Sequence, residues 1–80
     1  MSEFRYLAVN LRRYRAECGL SQAEVARRAG EPFTQPYVSD LERGLRPSKA
    51  SHVDQLANAL GVSGSALLRR VRRVATAVAA

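Results

Sequence analysis

Apolar residues along this chain recur at steps of three and four, which is the spacing of one face of an α-helix. The pattern predicts five helices, and it contains no alternation of apolar and polar residues that would predict a strand. The first helix is predicted over residues 3–18. Its apolar face consists of Phe4, Leu7, Leu11, Tyr14 and Cys18. Because Cys18 falls on this face, the pattern predicts a buried, inert thiol.

Two short helices joined by a polar turn are predicted within residues 21–44. Ser21 and the glutamate three positions later form a capping box, which is typical of a helix start. Gly30 ends this helix in the way that glycine commonly does. Thr34 is the predicted cap of the next helix, and Gly44 closes it.

Two further helices are predicted in the second half of the chain. Ser51 is expected to cap the fourth helix and Gly61 to end it. The fifth helix is predicted to start near Ser63 or Ser65 and to continue as an extension over residues 67–80. Apolar residues in this extension are spaced by four, three and four, the a/d pattern through which helices pair. The predicted dimer seam consists of Leu67, Val71, Val74 and Val78.

The length and charge of the chain narrow the classes of function. Eighty residues allow one domain, assigned here to residues 1–80. The net charge of +6 favours a polyanionic partner, most often nucleic acid. Twelve of the thirteen basic residues are arginine, whose planar guanidinium suits phosphate and guanine recognition. Early arginines interrupt any signal peptide, and no apolar run is long enough to span a bilayer. We therefore expect no membrane partner and a cytoplasmic, nucleoid-associated location.

Residues with catalytic or metal-binding chemistry are too few to form a site. His52 is the single histidine and Cys18 the single cysteine. The sequence contains no nucleophile with a neighbouring base, no metal-ligand spacing and no glycine-rich phosphate loop. We expect neither an enzyme nor a requirement for a metal or cofactor.

An ordered set of residues resembles the helix-turn-helix of the phage-repressor and Cro-like (XRE) family of DNA-binding transcriptional regulators. The set comprises Arg15, Gly19, Ser21, Gln22, Ala26, Gly30, Val38, Ser39, Leu41, Glu42 and Gly44. The resemblance covers roughly residues 7–68 and implies an all-α, five-helix, lambda-repressor-like domain. One departure is that seven residues separate Gly30 from Val38, where the family usually has five. We assign the two additional residues to Glu31 and Pro32, which lengthen the turn.

A recognition helix of this kind enters the major groove with its N-terminus first. Gln35 follows the Thr34 cap, and its amide can pair with adenine N6 and N7. The resemblance implies that Gln22 contacts a phosphate and supports the recognition glutamine. The predicted DNA-contacting residues are Gln22, Thr34, Gln35, Pro36, Tyr37, Ser39, Asp40, Arg43, Arg46 and Lys49.

Some of these side chains have more than one interpretation. Asp40 can accept a hydrogen bond from cytosine N4, but a solvated or intramolecular role is equally compatible with the sequence. Tyr37 can donate to a phosphate or belong to the hydrophobic packing. Arg43, Arg46 and Lys49 suit phosphate contacts, which set the register on DNA without reading its sequence.

The resemblance also implies an ion pair between Arg15 and Glu42 that holds the first helix against the recognition helix. The alternative is two solvated surface charges. A partly buried pair of this kind fixes an arrangement more surely than it adds stability.

The expected function is a sequence-specific regulator, acting as a repressor, that reads an inverted-repeat operator in double-stranded DNA as a homodimer. One alternative is a protein-interaction adaptor or antitoxin-type partner that keeps the fold without strong specific DNA binding. A second alternative is binding to a membrane surface through the basic C-terminal stretch RRVRRVATAVAA. Its apolar residues are all small, which argues against this alternative.

Overall fold

The computed structural model describes residues 5–71. This part of the chain forms five α-helices: α1, Leu7–Cys18; α2, Gln22–Ala29; α3, Gln35–Glu42; α4, Ala50–Leu60; and α5, Gly64–Leu68. No strand is present within residues 5–71. The all-α, five-helix prediction is confirmed. No helix in the same range is long and apolar enough to cross a membrane.

Local capping signals position the two central helices. The Ser21 side chain accepts a hydrogen bond from the backbone N–H of Glu24 at 3.0 Å. The Thr34 side chain accepts from the backbone N–H of Tyr37 at 3.3 Å. Gly30 ends α2 at a φ of +85°, a conformation that glycine adopts without strain. Both helices therefore begin at the caps predicted from sequence.

A core of leucine and valine lies where the five helices meet. The fully buried large side chains come from every helix: Leu11, Val25, Val38, Leu41, Val53, Leu56 and Leu67. Burying one such side chain contributes about 1.5–3 kcal/mol relative to leaving it exposed. The core therefore holds α2 and α3 against the other three helices and leaves their opposite sides to solvent.

Asn10 is a buried polar residue within this core, with 2% of its surface exposed. Its side-chain amide donates to the backbone carbonyls of Leu67 and Arg69, each at 2.8 Å. Carbonyls at a helix end have no partner within the helix. Asn10 therefore satisfies the end of α5 and attaches it to α1.

The predicted first helix ends where the observed one does, at Cys18, but differs from it at the start and in the burial of that last residue. α1 begins at Leu7 rather than at residue 3, since Arg5 and Tyr6 form a turn. Phe4 lies outside the described residues. Cys18 is exposed, which corrects its predicted burial. It lies in the last turn of α1, where the apolar face meets solvent, with its sulfur 3.7 Å from the carbonyl of Leu60.

The predicted cap of the fourth helix is also wrong. α4 begins at Ala50 with Lys49 as the N-cap residue, so Ser51 lies inside the first turn. The Lys49 side chain makes no capping hydrogen bond. Val53 and Leu56 are buried, so packing against the core stabilises this helix without a side-chain cap at its start.

The long fifth helix predicted from the apolar spacing is corrected as well. α5 has five residues and is followed by Arg69 in an extended conformation. Leu67 is fully buried in the core, so it is not part of an exposed seam. Val71 is half-buried and not helical. Val74 and Val78 lie outside the described residues.

Candidate nucleic-acid interface

The start and one side of α3 form the exposed surface of the helix-turn-helix. Val38 and Leu41 point into the core, and the side chains on the opposite side of α3 face outward. The outward positions that are exposed or half-exposed are Gln35, Pro36, Ser39, Asp40 and Arg43. The structure thus places four of the predicted DNA-contacting residues on the outer side of α3 and a fifth, Arg43, at its C-cap.

The ion pair between Arg15 and Glu42 is present and bidentate. Arg15 Nε lies 2.5 Å from Glu42 Oε2, and Arg15 Nη2 lies 3.0 Å from Glu42 Oε1. The Glu42 side chain is 5% exposed and that of Arg15 19%. Arg15 also donates to the carbonyl of Leu20 at 2.9 Å, which fixes the loop before α2. The hydrogen bond that Arg15 donates to Glu42 raises the pKa of Arg15 above its ordinary value, so the guanidinium remains charged.

A chain of side-chain hydrogen bonds continues from this pair to the start of α3. Gln22 Nε2 donates to Glu42 Oε1 at 3.0 Å. Gln35 Nε2 donates to Gln22 Oε1 at 2.7 Å. Both ends of the Gln22 amide are therefore engaged within the protein. The exposed amide of Gln35 is held in place through Gln22 by a buried carboxylate.

Asp40 forms a charged cluster with two of the predicted phosphate-binding residues. Its carboxylate lies 3.7 Å from Arg43 Nη1 and 4.0 Å from Arg46 Nε. Of the roles that the sequence left open for Asp40, the intramolecular one is present in this structure. All three side chains are more than one-third exposed, and ion pairs of this kind contribute little to stability. A DNA phosphate can therefore replace Asp40 as the partner of these arginines at little cost.

Tyr37 is engaged within the protein at both its ring and its hydroxyl. The hydroxyl lies 3.2 Å from His52 Nδ1. The Arg46 guanidinium lies over the ring, 4.0 Å from its centroid, within the range of a cation–π contact. Packing is thus the role that the structure shows for Tyr37, and its ring and Asp40 together hold Arg46 in place. Lys49 is exposed at the start of α4, so basic residues continue beyond the end of α3.

The longer turn between α2 and α3 inserts an aromatic ring into the core. Phe33 is 7% exposed. Its ring makes edge-on contacts with Tyr37, at a centroid distance of 4.9 Å, and with His52, at 5.3 Å. The additional turn residues therefore allow the chain to bury a side chain in this segment. A phenylalanine within an otherwise polar turn is the sequence signal for this contact.

A second connection to the turn comes from Gln55 on α4. Its side-chain amide donates to the carbonyl of Ala29 at 3.0 Å and to that of Glu31 at 2.8 Å. Sequence reasoning missed this residue, because an isolated glutamine on a helix gives no indication of a partner 24 positions away. Within residues 5–71, no group of histidine, cysteine, aspartate and glutamate side chains is arranged to hold a metal ion.

A comparison with protein families identifies the class of domain to which this chain belongs. The family model of the helix-turn-helix domain matches residues 7–71, which contain all five helices. The chain belongs to this XRE-like helix-turn-helix family.

Individual relatives carry regulator names. The uncharacterized HTH-type transcriptional regulator y4dJ of Sinorhizobium fredii is 50% identical over 54 residues, which is 68% of each chain. A hypothetical transcription factor of Neisseria meningitidis is 40% identical over 62 residues, covering 78% of this chain and 57% of that protein. An HTH-type transcriptional regulator of Mycobacterium tuberculosis is 38% identical over 60 residues, covering 75% and 41%. The match therefore spans little more than half of the length of the Neisseria protein and less than half of the length of the Mycobacterium protein.

A solved structure has the same fold. The crystal structure of the hypothetical transcription factor NHTF from Neisseria superposes with a TM-score of 0.76 at 32% identity. The match covers 100% of this chain and 91% of that one.

Proposed function

We propose that this protein is a DNA-binding transcriptional regulator that reads base edges in the major groove with the start of α3. The observation that carries this proposal is the hydrogen-bond chain from the buried Glu42 through Gln22 to the exposed Gln35. An amide that is already held in position loses less conformational freedom when it pairs with a base. The regulator names of the relatives support the same function.

The affinity for DNA is assigned to the basic residues around α3. Arg43, Arg46 and Lys49 follow one another from the end of α3 to the start of α4. Phosphate contacts from such positions hold the protein on the duplex and orient the recognition helix. The net charge of +6 adds longer-range attraction to the same partner.

We further propose that the regulator is a homodimer on an inverted-repeat operator in the bacterial nucleoid and that it represses. Two-fold symmetric helix-turn-helix proteins place their recognition helices in successive major grooves, about 34 Å apart. The sequence support for a dimer is the apolar pair Val74 and Val78, which are four positions apart. Repression requires only that the operator be occupied, so a DNA-binding domain is sufficient for it.

Val74→Arg is expected to shift the protein toward monomer, because a charge on the apolar seam loses its hydration when two copies associate. Sedimentation velocity over a range of protein concentrations measures the shift. Val9→Arg is the matched control, since Val9 is 51% exposed on α1 and outside the proposed seam. An unchanged dimer in Val74→Arg would place the interface elsewhere on the protein.

Gln35→Ala is expected to cost about 1–3 kcal/mol on the best site and to relax the preference at one base pair per half-site. Binding to nonspecific DNA should barely change, because the glutamine carries no charge. Arg43→Ala should instead weaken binding to all sequences alike. It should also lower the salt slope, which is the slope of the logarithm of the binding constant against the logarithm of salt concentration, by about one in magnitude. The two variants therefore separate base reading from phosphate binding.

Selection from a random DNA library supplies the best site, and anisotropy titrations against its single-base variants measure the preferences. An equal loss for every sequence in Gln35→Ala would show that Gln35 does not read a base. A library from which no sequence is enriched would favour the adaptor or antitoxin-type alternative.

A further inference from the structure

The path of the chain between α2 and α3 depends on contacts with α4. Gln55 donates both hydrogens of its amide to the turn, one to the carbonyl of Ala29 and one to that of Glu31. The first carbonyl belongs to the last residue of α2, and the second belongs to the first residue after Gly30. One side chain therefore contacts both the last residue of α2 and the first residue of the turn beyond Gly30.

The other side of the turn is also held by α4. His52, one helical turn before Gln55, packs edge-on against the ring of Phe33 at a centroid distance of 5.3 Å. Within the turn, the Phe33 N–H donates to the carbonyl of Gly30 at 3.0 Å. Phe33 immediately precedes the Thr34 cap of α3. Two successive turns of α4 thus contact the two ends of the connecting segment.

The attachment of the turn to α4 matters for base recognition, because a hydrogen-bonding site tolerates only small errors in the position and angle of its side chains. A productive constellation must be held within about 0.5 Å and 10–20° of its best geometry. Gln35 is the first residue of α3, directly after the turn and its cap. A change in the path of the turn therefore changes the position of the Gln35 amide before it changes anything else on α3.

We propose that Gln55 is a positioning residue for base recognition, which sets the orientation of α3 through its hydrogen bonds to the turn. This inference rests on the proposed function. Gln55 acts through the backbone of residues 29–31 and not through contact with a base. Its contribution is to the difference in affinity between operator sequences, while the arginines supply affinity for any sequence.

Gln55→Met tests the inference, since methionine keeps the length and neutrality of the side chain but removes both donors. The ratio of affinities for the best site and for the site changed at the base pair read by Gln35 is expected to fall about three- to tenfold. The salt slope should remain unchanged, because no phosphate contact is lost. Asn58→Met is the matched control, since Asn58 is an exposed amide on the same helix. It should leave the ratio as it is in the unchanged protein.

A double-mutant cycle separates positioning from general destabilisation. In the Gln55→Met background, Gln35→Ala should cost less than it does alone, because the amide is no longer well placed. Arg43→Ala should cost the same in both backgrounds. Circular dichroism melts identify any loss of folded protein at the assay temperature. If Gln55→Met does not fold, Gln55→Ala removes the same donors without adding a charge or a long side chain and should give the same relaxed preference.

The outcomes distinguish failure of this inference from failure of the proposed function. If Gln35→Ala relaxes one base pair but Gln55→Met and Gln55→Ala keep the original ratio, Gln55 has no positioning role. A uniform loss in the Gln55 variants that follows the melting temperature also overturns it. If the unchanged protein shows no sequence preference, the proposed function fails and this inference fails with it.

Discussion

The affinity of the dimer for its operator is expected to fall by about 10³ to 10⁵ between 50 and 200 mM salt if six to ten phosphates are neutralised. If Arg43, Arg46 and Lys49 each neutralise one phosphate in both protomers of the proposed dimer, the six contacts correspond to the lower end of this range. Each contact releases counterions condensed on the duplex, and added salt opposes that release. Anisotropy titrations at four or more salt concentrations give the slope.

Two variants test whether the salt dependence comes from the basic residues around α3. Asp40→Asn removes the carboxylate that lies 3.7 Å from Arg43 and 4.0 Å from Arg46, so affinity should rise for all sequences. Arg13→Ala removes an exposed arginine on α1, where it lies 3.8 Å from Glu17, and it should leave the slope unchanged. A nearly flat salt dependence in the unchanged protein would contradict the phosphate roles of the three basic residues.

Arg15 and Glu42 are expected to be strongly coupled in a thermodynamic cycle on stability. Removing one partner of a fully buried ion pair costs about 3–5 kcal/mol, because the other charge remains buried without its partner. Arg15→Ala should approach this range, since the remaining carboxylate of Glu42 is 5% exposed. Glu42→Ala should cost less, because Arg15 is 19% exposed and keeps its bond to the carbonyl of Leu20. Urea denaturation followed by circular dichroism measures each free energy of unfolding.

The double variant should cost less than the two single changes added together, by about 0.5–3 kcal/mol. The exposed pair Arg13 and Glu17, on the same helix as Arg15, is the control cycle. A surface pair four residues apart is worth about 0.3–0.5 kcal/mol, so its coupling should be small. Additive losses for Arg15 and Glu42 would mean that the two side chains do not meet in solution.

The prediction of helices from sequence succeeded where the signal lay within a few residues. The caps Ser21 and Thr34 and the terminating Gly30 are local, because a cap bonds to a backbone group three positions away. Leu7 and Leu11 were predicted on the apolar face of the first helix from helical spacing, and both are buried. These features required no knowledge of how the helices pack.

Prediction failed where a short helix depended on its neighbours. The apolar spacing after Leu67 favoured a long fifth helix, whereas α5 ends after five residues, with its last carbonyls bonded to Asn10. Cys18 matched the apolar face of α1 in spacing, but the core does not extend to the last turn of that helix. Helical periodicity indicates which residues share a face and not how much of that face is covered.

Some features of the candidate site were also predictable from the sequence, and others required the structure. Gln35 at the start of α3 and the basic residues after it follow from the order of residues, and the partnership of Arg15 with Glu42 follows from the family resemblance. The hydrogen-bond geometry that holds Gln35, and the pairing of Asp40 with two arginines, required coordinates.

The sequence by itself determined the helix-turn-helix, since caps, glycines and apolar spacing act between residues that are near one another in the chain. Tertiary structure decided the orientation of α3 and the extent of α5. Those depend on contacts such as Gln55 with Glu31 and Asn10 with Leu67, which join residues 24 and 57 positions apart. The physical reason is that a hydrogen bond between distant residues forms only after the core has brought their helices together, so neither partner carries a local signal of it.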